Sequence, residues 1–514
     1  MTALKRDSLT IRGNNLQAYH QPDEIRTATN RLLDILIDYY SSPKSSKAVN
    51  YRSKEELVKA FYQGEPPNEE RPLDDVLKEF KESILPASVK TWHPLFMNQM
   101  FAGASFPSII GDLMASMMNP TLATWEASPV ATIIEKNVSQ WMAQMMGLPK
   151  GSWGIFLPGG SLSNLIALTI ARNQFFGMDI RQTGIPMEKK PVLICSEASH
   201  YSIANAANIL GLGSDHLLKI KTRVNGSMDT NDLEKQLQQC DRNHQTPFAI
   251  IATMGLTVSG CFDPLDEMAR ICKPRGIHIH VDAAFGGGMA LTQKGKRHFT
   301  GIEHADTLTW DAHKTLHMPL TSSVLLLPNP QLLKSVFSQK EATYLFHPQP
   351  EHEIEDLGKY TPLCGKRFDA LKLWLLWHTY GTENFREQAE NRFKLTEDFG
   401  AYLKSTEDFH MDYQSESPIS CFHWAPKEWQ KVDRKLRAPY SNKLHRTIRE
   451  EIKQDGNAFF NIALLNGMDQ FRFILINPLT TLDQLKDLVS EIRARALAYC
   501  NKHPQPFESS GEQR

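Results

Sequence analysis

The apolar positions divide the chain into three stretches. Over roughly the first ninety residues they recur at helical spacing between polar breaks. Ile25, Ala28, Leu32, Ile35, Leu36 and Tyr39 share one face and predict a helix over 22–40. Segments 41–50 and 64–72 carry Ser, Pro, Gly and charge and read as loops. From about 150 to 330, short apolar runs alternate with helical stretches. Strands are predicted at 192–195, 248–253, 278–281 and 323–327, with helices at 200–211, 230–239 and 264–273. That alternation is the mark of βαβ units and a mostly parallel sheet. Ligands bind such sheets beyond the carboxyl ends of the strands, so functional residues belong just after the apolar runs. From about 380, strand-like pieces at 419–424 and 471–476 mix with amphipathic helices. In the helix predicted over 481–498, Leu482, Leu485, Leu488, Val489 and Ile492 fall at helical spacing. This stretch reads as a smaller α+β unit, frayed from about residue 502.

Composition narrows the partners. The 514 residues hold 57 Lys and Arg against 58 Asp and Glu, a net charge of −1 that gives no electrostatic case for nucleic acid or an anionic membrane. The seven cysteines stand singly with no CxxC pair, which argues against zinc and dithiol chemistry and fits a reducing compartment. The first sixteen residues lack the apolar core of a secretion signal. The most apolar long window, 100–118, is interrupted by Gly103, Pro107, Gly111 and Asp112, so a buried loop and helix is expected there rather than a membrane span. The expectation is a soluble, cytoplasmic protein.

Four places carry candidate chemistry. In 154–172 (GIFLPGGSLSNLIALTIAR), Gly159 and Gly160 precede Ser161 at the expected N-cap of a helix running to about 176. Free amides at a helix N-terminus bind phosphate, although a capped helix after a tight turn has the same pattern. In 277–288 (IHIHVDAAFGGG), His278, His280 and Asp282 alternate onto one face of a strand. Zinc is conceivable there, but no further ligand clusters nearby. A buried Asp282 needs a cation, either a protonated heterocycle or an Arg or Lys of the protein. Lys314 follows a short apolar run among Leu308, Trp310, Leu316 and Met318, where desolvation would favour the free amine that a Schiff base requires. His200 follows the strand at 192–195. A phosphate loop, a stacking His, a strand-end Asp and a Lys, in that order, are the parts list for pyridoxal phosphate.

At these residues the sequence resembles the group II pyridoxal-phosphate decarboxylases, most closely the glutamate and cysteine sulfinate decarboxylase branch. The matching motifs run from about 93 to 478: HPLFMNQ (93–99), GIFLPGGSLSN (154–164), SEASHYSI (196–203), GCFDPL (260–265), HVDAAFGGG (280–288), HK (313–314), YLF (344–346) and FRFILINP (471–478). The resemblance implies an α/β fold, the PLP-dependent transferase fold type I of aspartate aminotransferase. A large cofactor domain over 91–375 has a mostly parallel sheet, and a small α+β domain covers 376–514. A helical segment, 1–90, packs on the partner of a homodimer with active sites at the interface. It implies that Lys314 carries the cofactor, Asp282 holds its ring nitrogen protonated, and His200 and Ala284 cover the ring faces. Gly160, Ser161 and Asp311 would bind the phosphate, Thr253 would position the ring, and His313 would lie beside the lysine and phosphate. Tyr344, on a loop over 340–360 read as a lid, would reprotonate Cα. Asn98, Gln99, Phe101 and Arg472 would meet the substrate, Arg472 taking a distal carboxylate by its planar fork. Phe101 is closer to cysteine sulfinate decarboxylase. Ala123 stands where both relatives carry an aromatic ring, and 310–315 (WDAHKT) replaces the animal NPHK context. The reading is α-decarboxylation of a small L-amino acid, acidic by preference: glutamate, aspartate or cysteine sulfinate. The alternatives are diaminobutyrate or an aromatic amino acid, another fold type I reaction, or a non-catalytic homologue.

Overall fold

A computed structural model describes residues 22–41, 47–62, 64–69, 71–337, 344–346 and 356–505. The strands are, in chain order, β1 (Phe96–Met97), β2 (Trp153–Leu157), β3 (Pro191–Ser196), β4 (Leu217–Ile220), β5 (Thr246–Thr253) and β6 (His278–Asp282). They continue with β7 (Thr307–Asp311), β8 (Ser323–Leu327), β9 (Phe409–His410), β10 (Ile419–Trp424), β11 (Phe459–Leu465) and β12 (Met468–Ile474). Seven form one sheet in the order β2-β8-β7-β6-β5-β3-β4. All its pairings are parallel except those of β8, which runs against both neighbours. Helices cover the sheet on both faces, so β3, β5 and β8 read as continuous apolar runs rather than alternations. β2, β6, β7 and β8 are buried along their whole length.

The four strands expected here are present. β2, β4 and β7 were not anticipated. β7 (TLTWD) alternates Thr with apolar residues, which looks half-exposed until its neighbours are known. Thr307 and Thr309 are fully buried because the second layer of helices closes over them. The expected helices appear as Ser202–Ile209, Thr230–Arg242 and Leu265–Cys272.

The smaller sheet has the order β1-β11-β12-β10-β9. Its inner face packs Phe422, Phe471 and Phe473 against the helices Arg434–Asp455 and Leu482–Lys502. Two features cut across the domain limits expected at 91 and 376. β1 lies early in the chain yet pairs in parallel with β11, Phe96 opposite Phe459. The helix Ala370–Lys404 runs through the second limit and kinks at Gly381, whose φ of 71° interrupts its helical geometry.

The helix Phe106–Met118 corrects a second expectation. Its buried residues are Ser108, Gly111 and Ala115, whereas Phe106, Leu113, Met117 and Met118 are all more than half exposed. The predicted N-terminal helix is present as Pro22–Ser41, with Ile25, Leu32, Leu33 and Ile37 exposed. Behind it, the Ala48 amide bonds the Gly456 carbonyl of the small domain at 2.8 Å. Among the described residues no helix is long and apolar enough to cross a membrane.

Candidate active site

The sheet delivers its candidates to one edge. β2, β3, β5, β6 and β7 all end on the same side, and the nine residues assigned to the cofactor line one cavity of about 210 Å³ there. After β2 the chain turns through Gly159, whose φ of 126° suits only glycine, into the helix Gly160–Phe176. A Cβ on Gly160 would lie 2.8 Å from an Asp311 carboxylate oxygen, so this close approach also requires glycine. The cap is Gly159, not Ser161 as expected, and it offers no side-chain cap bond. Ser161 is the helix's second residue and lines the cavity. The first-turn amides are thus left for an anion.

Asp282 ends β6, buried at the cavity floor. One carboxylate oxygen accepts from the Ala284 amide at 3.1 Å and the other from Asn164 Nδ2 at 2.9 Å. Both donors are neutral. No Lys or Arg stands within salt-bridge distance of Asp282 among the described residues, so an arginine or lysine partner is excluded there. Behind Asn164, His280 Nε2 donates to its Oδ1 at 3.0 Å, and His280 Nδ1 lies 2.9 Å from the Thr307 hydroxyl. Burial pushes His280 and His278 down to about 4, so both rings are neutral packing groups. No metal-binding cluster of His, Cys, Asp or Glu occurs among the described residues.

His200 stands beyond β3. Its Nδ1 lies 2.9 Å from the Ser202 hydroxyl and accepts from the Ser202 amide at 3.3 Å, which puts the ring proton on Nε2. Burial lowers its pKa against the opposing pull of Asp282. Thr253 ends β5, and its amide donates to Asp263 at 2.8 Å. Asp263 is fully buried, accepts also from the Met228 amide at 2.8 Å, and is raised to about 6 by that burial.

Lys314 departs from expectation. Leu308 and Trp310 face the core, and the Lys314 amine lies 3.1 Å from Asp311 Oδ2. It is held by a carboxylate rather than set among apolar side chains. Asp311, expected at the phosphate, takes that lysine through Oδ2. Its other oxygen, Oδ1, is buried with no hydrogen-bond partner among the described residues. His313 Nε2 lies 3.7 Å from Asp311, and its Nδ1 is within 2.8 Å of the Ser322 carbonyl. Burial lowers the pKa of His313.

The substrate candidates are less convergent. Met100 lines the cavity, whereas Gln99 is exposed and Phe101 packs on the Phe96 ring. Asn98 is buried, its Oδ1 without a partner among the described residues. Arg472 on β12 is buried and donates to the Val258 and Thr257 carbonyls, so it reaches the cavity through Thr257, which lines it. Tyr344 is 81% exposed and lies off this cavity. Most of the expected lid, 340–360, lies outside the described residues. Asn164 was missed. Four residues beyond Gly160, it shares that residue's helix face, and this spacing was the available signal.

The site fits a phosphorylated, cationic heterocycle that reacts with an amine. An open helix N-terminus suits the phosphate, an unneutralised carboxylate suits a ring cation, and a lysine reaches the space between them.

Comparison with known proteins agrees. The family described as the pyridoxal-dependent decarboxylase conserved domain matches residues 56–425. The acidic amino acid decarboxylase GADL1 of Xenopus tropicalis is 32% identical over 467 residues, 90% of each chain. The crystal structure of mouse CSAD superposes with a TM-score of 0.84 at 28% identity, covering 93% of this chain and 99% of that one. An Oryza sativa TDC structure with PLP and tryptamine gives 0.86 at 23% identity, a likeness of fold.

Proposed function

Since the chain belongs to the pyridoxal-dependent decarboxylase family and is an amino acid decarboxylase using pyridoxal phosphate, we propose that its substrate is a small acidic L-amino acid. The observation that carries the site assignment is Asp282, a buried carboxylate that the described chain leaves without Lys or Arg at the floor of a cavity ending in Lys314. The acidic substrate is supported by the relative at 32% identity named for such substrates.

Bound here, pyridoxal phosphate supplies an electron sink for the pair released as CO2 departs. Gly160 and Ser161 offer their amides to the phosphate. Asp282, fixed by Asn164 and Ala284, holds the proton on the ring nitrogen. His200, Ala284 and Thr253, which line the cavity, would hold the ring. Lys314 would supply the amine that holds the cofactor in the resting enzyme. Arg472 pairs with the distal carboxylate of the substrate, alongside the 98–101 segment.

The exposed residues of the helix Phe106–Met118, with Val130 and Ile133 nearby in the chain, form an apolar surface that suits a second copy. In such a homodimer the exposed Tyr344 hydroxyl serves the partner's site by delivering a proton to the substrate Cα. A cytoplasmic location accords with cysteines that stand singly along the sequence, with no CxxC pair.

The test is CO2 release from purified protein with glutamate, aspartate, cysteine sulfinate, diaminobutyrate and aromatic amino acids. One of the first three is expected to lead, with visible absorbance that borohydride bleaches while fixing the cofactor to Lys314. A lead by diaminobutyrate or an aromatic amino acid rejects the acidic assignment. Mixing Lys314→Ala with Tyr344→Phe subunits is expected to restore amine formation that neither shows alone; no restoration rejects the role of Tyr344 across the interface.

A further inference from the structure

Asp311 closes β7 with its side chain 3% exposed, against the first residue of the helix Gly160–Phe176. A Cβ on Gly160 would meet Oδ2 at 2.8 Å and Oδ1 at 2.9 Å, so the carboxylate lies against the first residue of the helix whose N-terminus would receive the phosphate. Oδ2 is occupied: Lys314 Nζ is at 3.1 Å and His313 Nε2 at 3.7 Å. Oδ1 has no hydrogen-bond partner among the described residues. The other charged or titratable groups facing this corner are His200 before the helix Ser202–Ile209 and Asp282 on β6. Lys372, on the helix Ala370–Lys404, acts on His313 from behind.

An ionised carboxylate and a phosphate dianion at one helix N-terminus repel each other strongly in a buried setting. Lys314 is the only Lys or Arg in salt-bridge contact with Asp311 among the described residues. That cation is drawn away when its nitrogen bonds to the cofactor carbonyl. One proton on Asp311 removes the like-charge contact. It also turns Oδ1 from a buried acceptor without a partner into a donor beside the phosphate oxygens.

We propose that Asp311 enters the cofactor complex as a neutral carboxylic acid whose Oδ1–H donates to a phosphate oxygen, so that cofactor capture takes one proton from solvent onto this residue. The only bond made at Asp311 is O–H, and the proton comes from water or buffer. The inference rests on the cavity being the pyridoxal phosphate site.

The test uses full-length protein stripped of cofactor and titrated with pyridoxal 5′-phosphate between pH 7 and 9. Calorimetry in buffers of differing ionisation heat counts protons, and visible absorbance reports capture. Wild type is compared with Asp311→Asn and Asp311→Ser, two neutral replacements, so that a folding defect in one leaves the other readable. Wild type is expected to take up about one proton more per cofactor than the neutral variants. Its affinity relative to theirs is expected to fall about ten-fold per pH unit on the alkaline side. His313→Asn is expected to keep the extra proton, which places it on Asp311. Equal proton counts in wild type and the neutral variants overturn the proposal. So does a loss of the extra proton in His313→Asn, or weaker binding by the neutral variants with an unchanged pH slope. If no protein captures cofactor, the assignment of the cavity fails instead.

Discussion

In the small domain, Asp408, Asp412 and Asp469 each sit on an arginine: Arg493, Arg434 and Arg446. Asp412 also accepts from Gln470 at 2.7 Å and Asn466 at 3.2 Å. Burial works to raise its pKa, but these donors hold it below the ordinary carboxylate value. At the carboxyl edge of the large sheet, Asp282 has two neutral donors, and Asp311 shares one lysine and leaves an oxygen unpaired. The topologies explain the difference. An antiparallel sheet scatters its strand ends, so a buried carboxylate there must be neutralised by its own neighbours. A parallel sheet gathers its strand ends at one edge, where unspent charge from several strands can serve one ligand. Negative charge without a protein partner is the sign of function here; buried negative charge alone is not.

The sharpest way to break this comparison is to neutralise one carboxylate of each kind. Asp282→Asn is expected to lower CO2 release about a hundred-fold or more while leaving the unfolding midpoint near wild type. Asp412→Ala is expected to cost about 2 kcal/mol of stability, because Arg434 is left partly buried without its partner, while kcat per folded molecule holds. Urea unfolding beside an activity assay reads both. If Asp282→Asn lost stability and kept activity, the contrast would be reversed.

A smaller effect is expected one shell out. Asn164→Ala removes one of the two donors to Asp282 and is expected to weaken cofactor binding and turnover about ten-fold. Absorbance titration with pyridoxal phosphate measures it, and an unchanged titration would mean that Ala284 alone fixes the carboxylate.

The smallest effect concerns acid. His280 and His278 in the large sheet and His445 in the small domain are neutral when folded, each driven to about 4 by burial. The unfolded chain protonates such groups near the usual imidazole value of about 6.5. Their contribution is therefore complete above that value and is lost as pH falls from there toward 4. The loss is expected to be about 1–3 kcal/mol per ring, read as a falling unfolding free energy between pH 6.5 and 4. His280→Gln is expected to flatten part of that slope, since an amide can bond Thr307 and Asn164 without gaining charge.

What the sequence disclosed follows the same division. The order Gly160, His200, Asp282, Lys314 was legible because each lies just past an apolar run, and it points to the cofactor; the family was legible from the motifs spread between 93 and 478. The strands at 192–195 and 248–253 were legible from uninterrupted apolar or β-branched residues. β7 was not, because Thr307 and Thr309 look like a solvent face until the covering layer is placed. The surroundings of Lys314 were misjudged because chain neighbours of a strand-end residue point into the core while the lysine turns toward the cavity. The exposed face of the helix Phe106–Met118 was hidden for another reason. Its apolar residues read as core, and only burial distinguishes a core from a surface awaiting a second chain.

The pairing of Phe96 with Phe459 sets the order of events during synthesis. Met100, three residues after β1, lines the cavity, but the strand that anchors β1 is among the last parts of the chain to be made. The large sheet can close as soon as Leu327 has emerged. The Met100 wall must wait for nearly the whole polypeptide, so the pocket matures after the sheet that bears its chemistry.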